Sequence, residues 1–216
     1  LLGDTSTVKQ YERSVDFTSG EVIVNWEDNN GVFTRKLFVS RPDNLVVLKL
    51  SSDEGASINT TLSLSKIIRH DVGRIKKFNL DDNFCIKKVE SGTMDNGLYF
   101  KAWYERPWEF ESRKSFKGYE GVVQVLRSDG KIEMDSDRLI LRDATDVLIV
   151  ARIEPSDNME ESRVLEMSNA LKSYDGTYDE LLAVHKKIHK ELFERVSIDL
   201  DASEAFSYTH MTLPTT

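Results

Sequence analysis

Two histidines four residues apart, His185 and His189, come nearest to a metal site in this chain of 216 residues. Side chains at i and i+4 share one face of a helix, so two imidazoles could hold one zinc ion. The metalloprotease pattern requires a glutamate after the first histidine as general base, but that position is Lys186. No third ligand accompanies the pair, and the neighbouring lysines oppose a cation. The sequence therefore favours two solvated or half-buried imidazoles on a helix, and predicts no metal and no cofactor.

Two pairs of carboxylates, Asp135 with Asp137 and Asp143 with Asp146, are candidates for acid and base chemistry. A glycosidase needs two carboxyl groups about 5–10 Å apart across a sugar site. Both pairs fall in predicted turns, where acidic residues are common, so solvated turn positions are favoured. The sequence also lacks a glycine-rich phosphate loop, a nucleophile elbow and a cysteine pair. It therefore predicts no catalytic residue in this chain.

The stretch KAWYERPWEF, residues 101–110, is the most suggestive candidate for a binding surface. Its aromatic side chains could stack on sugar faces while Arg106 bonds sugar hydroxyls. The alternative is that alternate aromatic side chains fill the core of a sheet, as Trp and Tyr often do. Pro107 interrupts the strand pattern and places Trp108 at the edge of a loop. Trp103, Arg106 and Trp108 are therefore the candidates for contact with a substrate or an adjoining domain.

Composition and charge narrow the class of protein. The chain is 39% hydrophobic and 31% charged, which is typical of a globular protein with its own core. Its net charge of -8 disfavours a nucleic-acid partner, because phosphate binding needs clustered lysine and arginine. No stretch approaches the roughly 20 apolar residues of a membrane span. Cys85 stands alone, so no internal disulfide is possible, and its apolar neighbours predict a small buried side chain.

The first three quarters of the chain predict an antiparallel β-structure. Strand candidates recur about every ten residues with polar turns between them, which is typical of a large β-sandwich. The candidates are 11–17, 21–26, 32–39, 45–50, 58–64, 83–89, 97–104, 121–126, 131–134, 137–141 and 146–153. Turns are predicted at Ser91-Gly92 and at Asp95-Asn96-Gly97, among others, and a long loop over 106–118.

After Pro155 the apolar period changes from strand-like to helical. A first helix is predicted between Met159 and Leu171, and a second begins at Thr177, where Glu180 three residues on completes a capping box. The predicted fold is mainly β, a large antiparallel β-sandwich followed by two linker α-helices. The predicted divisions are a sandwich domain over 1–154, linker helices and a starting strand over 155–200, and a disordered tail over 201–216.

Four stretches resemble the N-terminal domain of glycoside hydrolase family 95, the inverting α-L-fucosidases and their relatives. YERSVDFTSGEVIVNW is similar to the family's first hairpin, and RKLFVSRPDNLVVLKLSS to its most recognisable strand pair. GVVQVLRSDGKIEMDSDRLILRDATDVLIVARI resembles its later meander, and YDELLAVHKKIHKELFERVSIDL the helix leading out of the sandwich. The resemblance covers residues 11–200, and the related family 65 shares the same plan.

The resemblance implies a β-sandwich joined by linker helices to an (α/α)6 barrel that carries the catalytic groups. No catalytic residue is therefore carried over to this chain, which is expected to be a non-catalytic fragment that lacks the barrel and the family's own start. The parent is expected to hydrolyse terminal fucosyl or related bonds of a fucosylated glycan. Residues 207–216 resemble no part of the family and are expected to be non-native. The alternative is a stand-alone carbohydrate-binding or structural β-sandwich, and the compartment is left open, a secreted or periplasmic location being compatible with such a parent.

Overall fold

The computed structural model describes residues 8–64, 86–108 and 116–195, and for residues 86 and 105–108 it describes the backbone alone. The described part forms eleven strands and two helices. The strands are β1 Gln10–Asp16, β2 Glu21–Asp28, β3 Gly31–Ser40, β4 Leu45–Ser52, β5 Ile58–Ser63, β6 Ile86–Met94, β7 Gly97–Trp108, β8 Phe116–Ser128, β9 Lys131–Asp135, β10 Arg138–Ala144 and β11 Asp146–Ser156. The helices are α1 Val164–Lys172 and α2 Tyr178–Phe193.

The described strands form two antiparallel sheets. The large sheet has eight strands in the order β1-β2-β3-β4-β11-β8-β7-β6, and the small sheet has three in the order β5-β10-β9. The small sheet covers part of one face of the large sheet, and α1 and α2 pack on the other face. The predicted fold class, a large antiparallel sandwich followed by two helices, is confirmed. The predicted boundary after residue 154 stays a prediction; β11 continues to Ser156, and both helices share a core with the sheet.

The centre of the molecule is β11, which pairs with β4 on one side and β8 on the other. Its residues Val147, Leu148, Ile149 and Val150 are all buried. Because side chains alternate along a strand, Leu148 and Val150 join the core under the helices, while Val147 and Ile149 join the core under the small sheet. This run of apolar residues is thus the reason that both faces of the sheet are covered.

The two sequence expectations at β6 and β7 differ from the structure. The turn predicted at Ser91-Gly92 is wrong, because β6 runs through both residues and pairs with β7. The loop predicted over 106–118 is wrong at both ends, since β7 extends to Trp108 and β8 begins at Phe116. Pairing of backbone groups along this hairpin outweighs the polar composition that suggested a loop. The turn at Asp95-Asn96 is confirmed, and both residues have positive φ.

Polar side chains accept hydrogen bonds from backbone N–H groups at the start of both helices. Glu120 of β8 is buried, and its carboxylate accepts hydrogen bonds from the Ser162 hydroxyl at 2.7 Å and the Arg163 backbone N–H at 2.8 Å. It therefore caps α1 from the sheet, since the first N–H groups of a helix lack partners within it. The predicted capping box of Thr177 and Glu180 is confirmed at the start of α2. The predictions for Cys85, for the strand after Val196 and for the tail lie outside the described residues.

We expect Leu148→Ala to lower the free energy of unfolding by about 2–5 kcal/mol, because it leaves a cavity in a core that β11 shares with the helices. The control is Ile153→Ala on the same strand, where the side chain is 50% exposed, and where the loss should stay below about 1 kcal/mol. Urea denaturation followed by tryptophan fluorescence measures both. Equal losses for the two variants would contradict the central place assigned to β11.

Candidate functional site

Trp103, the first of the sequence-predicted binding residues, is half-buried on β7 near the edge of the large sheet. The Lys88 ammonium of neighbouring β6 lies 4.6 Å from the centre of its ring, a distance at which the cation and the ring attract. Lys101 and Glu90 form an ion pair beside it at 3.9 Å. The Trp103 ring therefore contacts a side chain of its own sheet. The side chains of Arg106 and Trp108 lie outside the described residues.

Tyr104 follows Trp103 directly, so the two side chains point to opposite faces of the sheet. The Tyr104 ring lies 5.9 Å from that of Tyr119, which in turn lies 5.5 Å from Phe100. Burial, and then the neighbouring Tyr104, raise the pKa of the Tyr119 hydroxyl. Trp103 and Tyr104 consequently do not form a single flat platform of the kind that stacks on a sugar.

A cleft of about 910 Å³ opens between the small sheet and strands β2 to β4 of the large sheet. Its apolar wall includes Trp26 and Phe33, whose rings stack with centres 5.3 Å apart, and its rim carries polar groups such as Asn59. The volume is in the range of ligand-binding clefts. Among the described residues that line it, Asp28 is the one carboxylate, and a glycosidase needs two. The cleft can bind an apolar or aromatic-stacking group, but its described lining provides no acid and base pair.

Sequence reasoning placed Trp26 and Phe33 in strands but did not bring them together. The signal was present, because the turn Asp28-Asn29-Asn30-Gly31 fixes the register of the β2–β3 hairpin. In that register Trp26 pairs with Phe33, and paired residues on one face lie within contact distance.

The two histidines on α2 face the sheet. His185 is buried and stacks on Phe38 with ring centres 5.2 Å apart. Its Nε2 lies 2.9 Å from the Ser19 carbonyl oxygen, and its Nδ1 accepts the Arg41 backbone N–H at 3.2 Å. Burial is the largest cause that lowers the pKa of His185 below its usual value. His185 is therefore a core histidine with both ring nitrogens engaged.

His189 repeats this arrangement one turn later on α2. Its Nε2 lies 3.0 Å from the Phe17 carbonyl oxygen, and the Arg41 Nε donates to its Nδ1 at 3.5 Å. Within residues 8–64, 86–108 and 116–195, no three metal-ligating side chains gather at one point. The arrangement suits neutral imidazoles that tie a helix to two backbone carbonyls.

The acidic pairs occupy exposed positions at the end of β9, in the turn before β10, late in β10 and at the start of β11. Asp137 pairs with Arg138 at 3.4 Å, and Asp146 pairs with Lys49 at 2.9 Å. Asp143 has a positive φ of 54° and lies where the pairing of β10 with β5 is irregular. The predicted exposure holds for all four carboxylates, but the predicted turn position holds for Asp137 and is wrong for Asp135, Asp143 and Asp146, which belong to strands. In the described part of the chain no helix is long and apolar enough to cross a membrane.

We expect zinc to leave the melting temperature unchanged at pH 7.5, because both nitrogens of His185 and of His189 already have protein partners. Differential scanning fluorimetry with added zinc chloride or with EDTA makes the comparison. A rise in melting temperature that His185→Gln abolishes would contradict this, and so would a visible absorption band on adding cobalt.

Residues 2–160 match the family described as glycosyl hydrolase family 65, N-terminal domain. This match spans well over half of the chain, so the chain belongs to that family. A search of curated proteins gave no match. The match agrees with the expected N-terminal domain of a glycoside hydrolase family, but it does not single out family 95, and it does not support α-L-fucosidase specificity.

Among solved structures the chain is similar to one named "Putative kojibiose phosphorylase from human microbiome". The TM-score is 0.51 and the sequences are 13% identical, so this likeness shows the fold. The similar region covers 87% of this chain but only 25% of that protein. The chain thus spans about a quarter of the length of the solved structure that it resembles.

Proposed function

We propose that this chain is the non-catalytic N-terminal domain of a longer enzyme that cleaves a terminal glycosidic bond. The observation that carries the proposal is the family match over residues 2–160. The described residues bring together no acid and base pair of their own, which is compatible with catalytic groups elsewhere in the parent. The proposed role of the domain is to pack against a catalytic (α/α)6 barrel and form one wall of its substrate cleft.

An apolar stripe on α2 is the proposed contact with that barrel. Val184, Ile188 and Leu192 are four residues apart and so lie on one side of the helix, which we call the outer stripe. They are 38–54% exposed, although α2 packs Tyr178 and Leu181 on the sheet. Trp103, Arg106 and Trp108 are further candidates for contact with the barrel or with substrate.

The reaction proposed for the parent is hydrolysis or phosphorolysis of an α-linked sugar. In inverting hydrolysis one carboxylic acid protonates the leaving oxygen, while a base activates the attacking water. In phosphorolysis inorganic phosphate attacks in place of water and the product is a sugar phosphate. The name of the similar structure supports phosphorolysis, whereas α-L-fucoside hydrolysis is proposed on the sequence resemblance alone.

The first test compares this chain with the full-length protein from the same source DNA. We expect the full-length protein to release sugar from kojibiose with phosphate present, or from an aryl α-L-fucoside without it. The chain alone should give no product above the buffer blank. Chromatography of free sugars and sugar phosphates measures both reactions.

Turnover by the chain alone would overturn the non-catalytic role. An inactive full-length protein together with saturable binding of oligosaccharides by the chain, seen in tryptophan fluorescence, would favour the stand-alone carbohydrate-binding module instead. In that case the comparison of Trp26→Phe with Trp103→Phe would show whether the cleft or the sheet edge holds the sugar.

The outer stripe gives a second test. We expect Ile188→Ser and Leu192→Ser to destabilise the full-length protein by about 1 kcal/mol each, because the half-exposed side chains would lose a buried contact with the barrel. In the chain alone the same changes should cost less, because only the part of each side chain that this domain already covers is lost. Lys187→Ser, on the exposed side of α2, is the matched control in both proteins. Equal effects with and without the rest of the parent would contradict a domain contact at this stripe.

A further inference from the structure

Arg41 supplies hydrogen bonds to both histidines of α2. Its backbone N–H donates to Nδ1 of His185, and its side-chain Nε donates to Nδ1 of His189. On the other side of each ring, Nε2 faces a backbone carbonyl of the β1–β2 turn, Ser19 for His185 and Phe17 for His189. Gly20 in this turn has a φ of 67°, and a Cβ added there would lie 3.3 Å from the His189 ring.

These partners fix the protonation state of both rings. A carbonyl oxygen can only accept, so each Nε2 carries the proton; an N–H group can only donate, so each Nδ1 is bare. The buried His185 is thus neutral in the docked helix. A second proton on its ring would have to sit on Nδ1, where it would face the backbone N–H of Arg41.

The surrounding charges add to the free-energy cost of placing a second proton on the ring. The His189 ring lies 5.2 Å from that of His185, and both His189 and the Arg41 guanidinium oppose positive charge on His185. The nearby Lys186, on the same helix, adds a further positive charge on the side of Asp16.

The carboxylates that face the contact between α2 and the large sheet already accept hydrogen bonds. Asp43 accepts from Ser40 at 2.6 Å and from the Tyr174 hydroxyl, and Asp16 accepts from Ser19 at 2.6 Å. Glu21 accepts from the Tyr178 hydroxyl at 2.9 Å. Burial is the largest effect on His185 and lowers its pKa; the Ser19 carbonyl and, with a smaller effect, Asp43 favour the charged form, while His189 and Arg41 oppose it.

We propose that the buried His185 forms a proton-sensitive latch, which holds α2 on the large sheet when its ring is neutral and releases the helix as the pH falls. Above about pH 6.5 a free histidine is also neutral, so the latch is fully closed. Below that value the released helix takes up protons that the docked helix cannot, so docking weakens as the pH falls. The latch rests on these contacts between α2 and the large sheet, and does not depend on the proposed enzyme activity.

The test is hydrogen exchange of the 216-residue chain between pH 7.5 and pH 5.0, corrected for intrinsic exchange rates. We expect exchange in the second half of α2 to increase about tenfold for each unit by which docking lowers the pKa of His185, while β4 and β11 stay protected. His70→Gln with His210→Gln gives a background in which His185 and His189 are the only histidines. In that background, nitrogen NMR should show the Nε2–H tautomer for both rings at pH 7.5.

Arg41→Met is the discriminating variant. Arg41 is exposed, so the variant should fold, and its backbone N–H remains. The guanidinium lowers the pKa of docked His185, so its removal should weaken the pH dependence and move the release of α2 to lower pH, whereas a purely structural contact would weaken docking equally at every pH. His185→Gln should abolish the pH dependence, whereas His189→Gln, which keeps the buried His185 ring, should retain most of it and is the matched control. Protection of α2 that is independent of pH, or an Nδ1–H tautomer, would overturn the proposal.

Discussion

The rest of the structure depends on β11 because four consecutive apolar residues in its first half must be covered from both faces. A strand at the edge of a sheet, or in a sheet with one face open to water, could not bury Val147 to Val150 together. Its neighbours β4 and β8 cover its edges, and the helices and the small sheet cover its faces. The three-layer arrangement therefore follows from one short segment of sequence.

The helix layer adds polar contacts to this apolar requirement. Glu120 meets the start of α1, Glu21 meets Tyr178 at the start of α2, and the two histidines meet the β1–β2 turn. A buried polar group is costly unless it is hydrogen-bonded, so each of these contacts permits one position of the helix over the sheet. Burial and its bond to Glu21 also raise the pKa of Tyr178, which keeps that hydroxyl a donor. The helices are thus placed by specific bonds as well as by apolar packing.

Most strands could be predicted from the sequence because local signals define them. Alternating apolar residues and turns such as Asp95-Asn96-Gly97 depend on neighbours in the chain, and so does the capping box at Thr177. The long β7–β8 hairpin was missed at its ends because cross-strand pairing, rather than composition, maintains it. The role of His185 was also out of reach, since its partners Ser19 and Arg41 lie more than 140 residues away in the chain. Contacts of that kind depend on the tertiary fold, which no local pattern contains.

The strand order has a consequence for how the polypeptide reaches its native state. β1 to β4 form one meander and β6 to β8 another, and in the large sheet they are joined by β11, the last of the described strands. On the ribosome both meanders emerge with their inner edges unpaired, and they cannot be joined until residue 156 has left the exit tunnel. Such long-range closure is slow and exposes strand edges in the meantime. Newly made chains are therefore most vulnerable to aggregation just before β11 is synthesised, and that interval is where a molecular chaperone would act.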